Sequence, residues 1–192
     1  MGALGFAILG LLAREPLSGY DVAGRMRERV GYFWSARHSQ IYPELARLEG
    51  AGMIEHRVVE QDDRPDKKVY EATEAGLEAL KAWVVQAPKP QASRDELVLK
   101  AHSVWLADPA EAVALFREQQ RLHAEQLRHY EGLERWMKRD WGADIEDPRS
   151  PLFATYATLR RGLAYEESTA EWCRWVAESL EAGGRKGPGR KG

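Results

Sequence analysis

Basic and hydrogen-bonding side chains are concentrated between residues 25 and 47. This stretch has five arginines and His38 against two acids, Glu28 and Glu44. Arginine, serine and tyrosine commonly hold phosphates, and glutamine can bridge an adenine edge. The stretch therefore predicts contacts with nucleic acid, although a charged run of this kind can also be a solvated helix face. The candidate contact residues are Arg37, His38, Ser39, Gln40, Tyr42 and Arg47.

A second basic group follows at Arg64, Lys67 and Lys68. Three aspartates, at positions 62, 63 and 66, stand beside it. We expect a modest contribution to phosphate binding that is readily lost with salt. Two alternatives stay open: the lysines can protect an edge strand from aggregation, and Tyr42 can pack under this segment instead of reaching a ligand.

The order of elements that would position these residues is helix, helix, helix, hairpin, helix. A short apolar helix is predicted over about 3–13. A second begins at the capping residue Ser18 and carries Tyr20, Val22, Ala23, Met26 and Val30 at helical spacing. A third places Ile41, Leu45 and Leu48 on one face and ends at the glycines of 50–52. Two alternating runs flank the turn at 61–66 and predict a hairpin. Three helices and a hairpin indicate a winged helix-turn-helix, with the third helix in the major groove.

The second half of the chain is predicted to be entirely helical. Prolines 88 and 90 mark a linker. A capping box at 93–96 begins a helix that runs to about Leu106, and Asp108 and Pro109 begin one of roughly 33 residues. A last helix is expected over about 152–180.

The fold class predicted is mainly α with a small β-hairpin: a winged helix-turn-helix domain followed by antiparallel long helices that form a dimer. The predicted boundaries are a DNA-binding domain at 1–84, a linker at 85–92, a helical dimerisation and effector domain at 93–182, and a disordered basic tail at 183–192.

Composition limits the classes of protein. The 192 residues carry 28 Lys and Arg against 30 Asp and Glu, for a net charge of -2. This average conceals the basic stretch. The lone Cys173 excludes an internal disulfide framework and fits a reducing cytoplasm. No apolar run approaches the roughly 20 residues of a membrane span.

The sequence offers no constellation for catalysis or metal binding. Its five histidines show no i, i+4 spacing and no cysteine or carboxylate partner at metal-ligand spacing. Nucleophile elbows and phosphate-binding glycine loops are also missing from the sequence. We therefore expect no enzymatic activity, metal or other cofactor. Cys173 is interpreted as a buried, inert thiol in preference to a redox switch.

Seven tryptophans are many for this length, and most lie in the second half. Most should fill a thin helical core or a subunit interface. Trp105 and Trp136 are the candidates for walls of an effector pocket.

Four motifs resemble the PadR family of bacterial transcriptional regulators. They are LSGYD at 17–21, QIYPELARLE at 40–49, GMI at 52–54 and RPDKKVYEATEAG at 64–76. The segment TLRRGLAYEE at 158–167 is similar to the longer members of the family. The resemblance implies a homodimer, in most members a repressor, that binds an inverted repeat of double-stranded DNA. It also implies release by a small hydrophobic or aromatic effector. The competing hypothesis is a winged-helix module that binds another protein without specific DNA binding.

Overall fold

The computed structural model describes residues 1–27, 38–60, 66–88 and 94–185. The chain divides into two compact units, Met1–Pro90 and Gln91–Gly192. The described elements of the first unit are α1 (Ala3–Leu12), β1 (Leu17–Ser18), α2 (Gly19–Arg25), α3 (His38–Gly50), β2 (Ile54–Val59), β3 (Lys67–Ala72) and α4 (Glu74–Val84). The predicted order of helices and hairpin is confirmed.

The predicted hairpin is part of a three-stranded antiparallel sheet with the order β1-β3-β2. In the added strand, Leu17 pairs with Tyr70 and Ser18 pairs with Val69. A strand of two residues has no alternating pattern, so periodicity could not reveal β1. Its effect is to fix the start of α2 against the hairpin.

A reciprocal cap begins α2 directly after β1. The backbone N–H of Asp21 donates to Oγ of Ser18 at 3.2 Å, and the Ser18 N–H donates to Oδ2 of Asp21 at 3.3 Å. This is the cap expected at Ser18. The α-helix is assigned to Arg25 and the backbone remains helical at residues 26 and 27; the expected end at Val30 lies outside the described residues.

The core of the first unit is formed by apolar faces of α1, α2 and α3 packed on the sheet. α3 contributes the three residues that its periodicity predicts, all at most 2% exposed. The buried members of this cluster are Ile8, Leu9, Leu11, Leu12, Leu17, Val22, Ala23, Met26, Ile41, Leu45, Leu48, Ile54 and Tyr70. Because one face of α3 is committed to this core, its opposite face is left for a ligand.

A close backbone contact holds α4 against the end of α3. The hydroxyl of Thr73 donates to the carbonyl oxygen of Gly52 at 2.7 Å and accepts from the N–H of Gly76 at 3.1 Å. A Cβ on Gly76 would overlap the carbonyl oxygen of Met53. Gly52 has a φ of 70°, which glycine adopts without strain. Packing therefore requires glycine at position 76, and the backbone conformation favours it at position 52.

The second unit is helical throughout its described residues. It contains α5 (Glu96–His102), a 3₁₀ turn (Val104–Leu106), α6 (Pro109–Trp141), a 3₁₀ turn (Gly142–Ile145) and α7 (Pro151–Arg185). Asp108 caps α6 with Pro109 at its first position, as predicted. Asp95 caps α5, and the expected cap Ser93 lies outside the described residues. α5 ends at His102 because Ser103, with φ -115° and ψ 13°, leaves the helical region.

α6 and α7 run antiparallel. Arg117 pairs with Glu181 at 3.0 Å, His123 with Glu166 at 2.5 Å, and the Tyr156 hydroxyl donates to Glu134 at 2.9 Å. As the residue number on α6 rises from 117 to 134, that of its partner on α7 falls from 181 to 156. Between the helices lies an apolar cluster of Phe116, Cys173, Val176 and Ala177.

α7 reaches Arg185, three residues into the segment 183–192 that the sequence predicts to be a disordered tail. Adding residues to an established helix costs little compared with starting one, so two glycines do not stop it at once. Residues 186–192 lie outside the described part of the chain. Among the residues that the structure describes, no helix is long and apolar enough to cross a membrane.

Candidate nucleic-acid interface

The outer face of α3 presents three of the predicted contact residues. Ser39, Gln40 and Tyr42 are exposed, while the residues of the opposite face enter the core. His38 begins the helix, and its side chain is not among those described. Arg37 lies outside the described residues. This arrangement follows from the amphipathic pattern of α3, since a helix with one buried face must expose the other.

A groove of about 580 Å³ brings together residues from three distant parts of the sequence. Its lining residues are Ser18, Gly19, Tyr20, Asp21, Tyr42, Lys67, Lys68 and Tyr70. The start of α2, the outer side of α3 and strand β3 of the hairpin therefore meet here. Two of the predicted phosphate-binding lysines lie beside the predicted Tyr42.

Tyr42 lies against the first residue of α2. A Cβ on Gly19 would come within 2.6 Å of Cε1 of Tyr42, so only a glycine accommodates the ring where it stands. The Tyr42 side chain nevertheless remains 47% exposed. It thus combines a packing contact with access to the groove, where the two roles had been expected as alternatives.

The charges in the groove partly oppose one another. Lys67 and Lys68 are exposed. The Ser18 hydroxyl holds the pKa of Asp21 below its usual 3.8, against the opposing effect of burial, and the charge of Lys67 lowers it further. Asp21 is therefore ionised at neutral pH and offsets part of the charge on Lys67. Lys68 is the better placed of the two to attract a phosphate.

Arg47 turns toward α1, at the flank of the outer face of α3. Its Nε donates to Oε2 of Glu44 at 2.8 Å, and a second N–H donates to Oε1 at 2.5 Å. This guanidinium holds the pKa of Glu44 below its usual value. Both side chains border Gly5 of α1. Arg47 would have to exchange this carboxylate for a phosphate to bind DNA. Arg64 lies outside the described residues.

Two features of this region were not found from the sequence. Helical spacing had placed Tyr20 with the apolar residues of α2, yet it is 72% exposed and borders the groove. Nδ1 of His56 is hydrogen-bonded to Oε1 of Glu49, which joins β2 to the last turn of α3. The capping residues at 18 and 21 locate the start of α2 and could have indicated that Tyr20 points outward. No local signal could have indicated the His56 contact.

The predicted effector residues lie on different elements of the second unit. Trp105 is in the first 3₁₀ turn and is 77% exposed. Trp136 is on α6, and its ring meets that of Trp141 edge to face with the centroids 5.0 Å apart. Their role in binding a ligand stays a prediction.

Burial raises the pKa of the Cys173 thiol, as expected for an inert cysteine. In the described segments, no group of three or more His, Cys, Asp and Glu side chains is arranged to hold a metal ion.

Comparison with known proteins assigns both halves of the chain. Residues 8–82 match the model of the Transcriptional regulator PadR-like family, and residues 93–181 match the model Virulence activator alpha C-term. The Negative transcriptional regulator PadR of Bacillus subtilis is 36% identical over 182 residues, which are 94% of this chain and 99% of that protein.

Solved structures of Bacillus subtilis PadR agree with this assignment. The complex with operator DNA has a TM-score of 0.82 and 33% identity, and covers 93% of this chain and 99% of that one. The complex with p-coumaric acid has a TM-score of 0.78 and 34% identity, and covers 93% and 98%. Since the likeness extends over both units, this chain belongs to the PadR-like family of transcriptional regulators.

Proposed function

We propose that this protein is a homodimeric, sequence-specific regulator, in particular a repressor, that binds an inverted repeat in double-stranded DNA. The observation that carries the proposal is the groove in which Lys67, Lys68 and Tyr42 meet beside the exposed face of α3. Support also comes from the relative, whose name is negative transcriptional regulator and which was solved with operator DNA. Residues 1–84 would be the reader. A regulator of this kind would act in the cytoplasm.

The proposed division of labour separates affinity from base choice. Lys67 and Lys68, with Tyr20 and Tyr42 beside them, would hold phosphates, which fix the position of the reader. Gln40, in the first turns of α3, would read a base edge. Arg37, His38, Ser39, Arg47 and Arg64 are proposed as further DNA contacts.

An electrophoretic mobility shift experiment tests the function. The DNA upstream of the protein's own gene is the first fragment to use, at about 50 mM salt where phosphate contacts are strong. Gln40→Ala is expected to relax base preference, and Lys67→Ala to weaken all fragments alike. Absence of any retarded genomic fragment under these conditions would refute the DNA-binding proposal.

Residues 93–182 are proposed to form the dimer and to hold the effector. Several large apolar side chains of the second unit are exposed, and association of two subunits would remove such surface from water. They are Val98, Leu99, Trp105, Leu106, Leu122, Trp136, Tyr165 and Trp175. Sedimentation is expected to give twice the monomer mass of 21.8 kDa. A monomer at micromolar concentration would contradict this part.

The effector is proposed to be a small aromatic or hydrophobic molecule. The structure of Bacillus subtilis PadR with p-coumaric acid makes that compound the first probe. Binding beside Trp105 or Trp136 should quench tryptophan fluorescence, and the same ligand should lower DNA affinity. Because coupling between two sites is reciprocal, bound DNA must lower the affinity for the ligand by the same factor. Quenching that DNA leaves unchanged would contradict an effector role.

A further inference from the structure

A hydrogen-bonded pair of side chains joins α3 to the hairpin behind the groove. Glu49 lies in the last turn of α3, and its Oε1 contacts Nδ1 of His56 in β2. The two side chains are 31% and 25% exposed. A carboxylate only accepts hydrogen bonds, so Nδ1 of His56 carries the proton.

The pair stands directly behind the residues of the groove. His56 is opposite Tyr70 in the register of β2 and β3, and the two rings are 5.7 Å apart. Tyr70 lines the groove together with Lys68. Burial raises the pKa of Tyr70, and the charge of Glu49 raises it further.

The outer part of the hairpin has no third strand beside it. β1 pairs with β3 only at Val69 and Tyr70, so Lys67 and Lys68 lie beyond it. There they pair with Val59 and Val58 of β2 alone. A two-stranded ribbon is marginal by itself and twists readily. The angle between Lys68 and α3 thus depends on contacts made beside β1, where His56 pairs with Tyr70 and Tyr70 pairs with Leu17.

We propose that Glu49 and His56 are positioning residues for DNA binding. Their hydrogen bond holds the hairpin at the angle to α3 at which Lys68 and the reading side chains reach one half-site together. Neither residue lines the groove, so the pair acts through Lys68. This inference rests on the proposed DNA-binding function and deepens it.

A double-mutant cycle on DNA affinity tests the positioning role. Full-length wild type, His56→Ala, Lys68→Ala and the double variant are titrated with the fragment that the wild type retards. His56→Ala is expected to weaken DNA binding about tenfold. The factor by which Lys68→Ala raises the dissociation constant should be at least threefold smaller in the His56→Ala background than in the wild type. His56→Asn should recover most of the affinity, because its Nδ2–H takes the place of Nδ1–H of histidine and can donate to Glu49.

A merely structural pair gives a different outcome. In that case His56→Ala would lower the melting temperature, while Lys68→Ala would reduce DNA affinity by the same factor in both backgrounds. That result overturns the proposal. If His56→Ala does not fold, Glu49→Ala breaks the same contact from α3 and takes its place in the cycle. Lys81→Ala, an exposed lysine of α4 outside the groove, should change affinity in neither background.

The titrations distinguish the DNA-binding function from the positioning role. Failure of the wild type to bind any fragment would refute the proposed function and the positioning role with it. Binding by the wild type with additive effects of His56 and Lys68 would refute the positioning role alone.

Discussion

Replacing Lys68 with alanine should lower both DNA affinity and the dependence of that affinity on salt. Lys68 is exposed at the outer end of β3 and borders the groove beside Tyr42. Lys67 is a less clear choice, because the ionised Asp21 already interacts with its charge. In the proposed complex, Lys68 replaces counterions at one phosphate of each half-site.

The magnitude follows from the number of phosphates that the variant no longer neutralises. Each neutralised phosphate contributes about 0.9 to the slope of log affinity against log salt. A homodimer has two copies of Lys68, so the slope should flatten by about 1.8. Between about 50 and about 200 mM salt, the ratio of variant to wild-type dissociation constants should then shrink about 12-fold.

Fluorescence anisotropy of a labelled DNA fragment, titrated at several salt concentrations, measures both quantities. Lys81→Ala is the matched control, because it removes the same charge from an exposed lysine of α4 that pairs with Glu78 at 2.6 Å. Equal slopes for the wild type and Lys68→Ala would refute the phosphate contact. Flattening by Lys81→Ala of the same size would show a general charge effect instead.

Three further substitutions test the packing around the interface and in the second unit. Gly19→Ala should weaken DNA binding about tenfold with little change in melting temperature, because the new Cβ displaces the exposed ring of Tyr42; unchanged affinity in anisotropy titrations would contradict a role for that ring. Ser18→Ala should cost about 1 kcal/mol near neutral pH, because it removes the cap of α2. Because the folded-state pKa of Asp21 is lowered, its stabilising contribution is present above pH 3.8 and is lost as the pH falls below that value. Urea denaturation in which Ser18→Ala lowers the free energy of unfolding equally at neutral and acid pH would rule out this linkage. Phe116→Ala should destabilise the second unit by about 3–5 kcal/mol, since Phe116 is fully buried; a thermal melt within error of the wild type would mean that the side chain is not part of a close-packed core.

Much of the fold could be predicted because its signals are local. The spacing of Ile41, Leu45 and Leu48 predicts the buried face of α3, and all three are buried. The caps at Ser18 and Asp108 predict where α2 and α6 begin. A cap or an amphipathic face is specified within one or two turns of chain, so it can be read without the rest of the molecule.

The errors also have local causes. Spacing suggested that Tyr20 faces inward, but α2 is short and its first turn lies at the edge of the core, so Tyr20 points outward. The two-residue β1 has no periodicity to detect. α5 ends at His102 because of the backbone conformation of one residue, Ser103. None of these features follows from the average pattern of a segment.

The sequence by itself determined the element order and the buried face of α3, and it predicted the residues that bind DNA. Only the tertiary structure decided which of those residues lie together. It places Lys68 and Tyr42 in one groove with Tyr20, and directs Arg47 to Glu44 beside α1. Such contacts join segments far apart in the chain, and the packing of a shared core sets them. The chain has 28 basic and 30 acidic residues and is therefore nearly neutral. This total does not indicate where the charges lie, so it could not predict the arrangement of the groove.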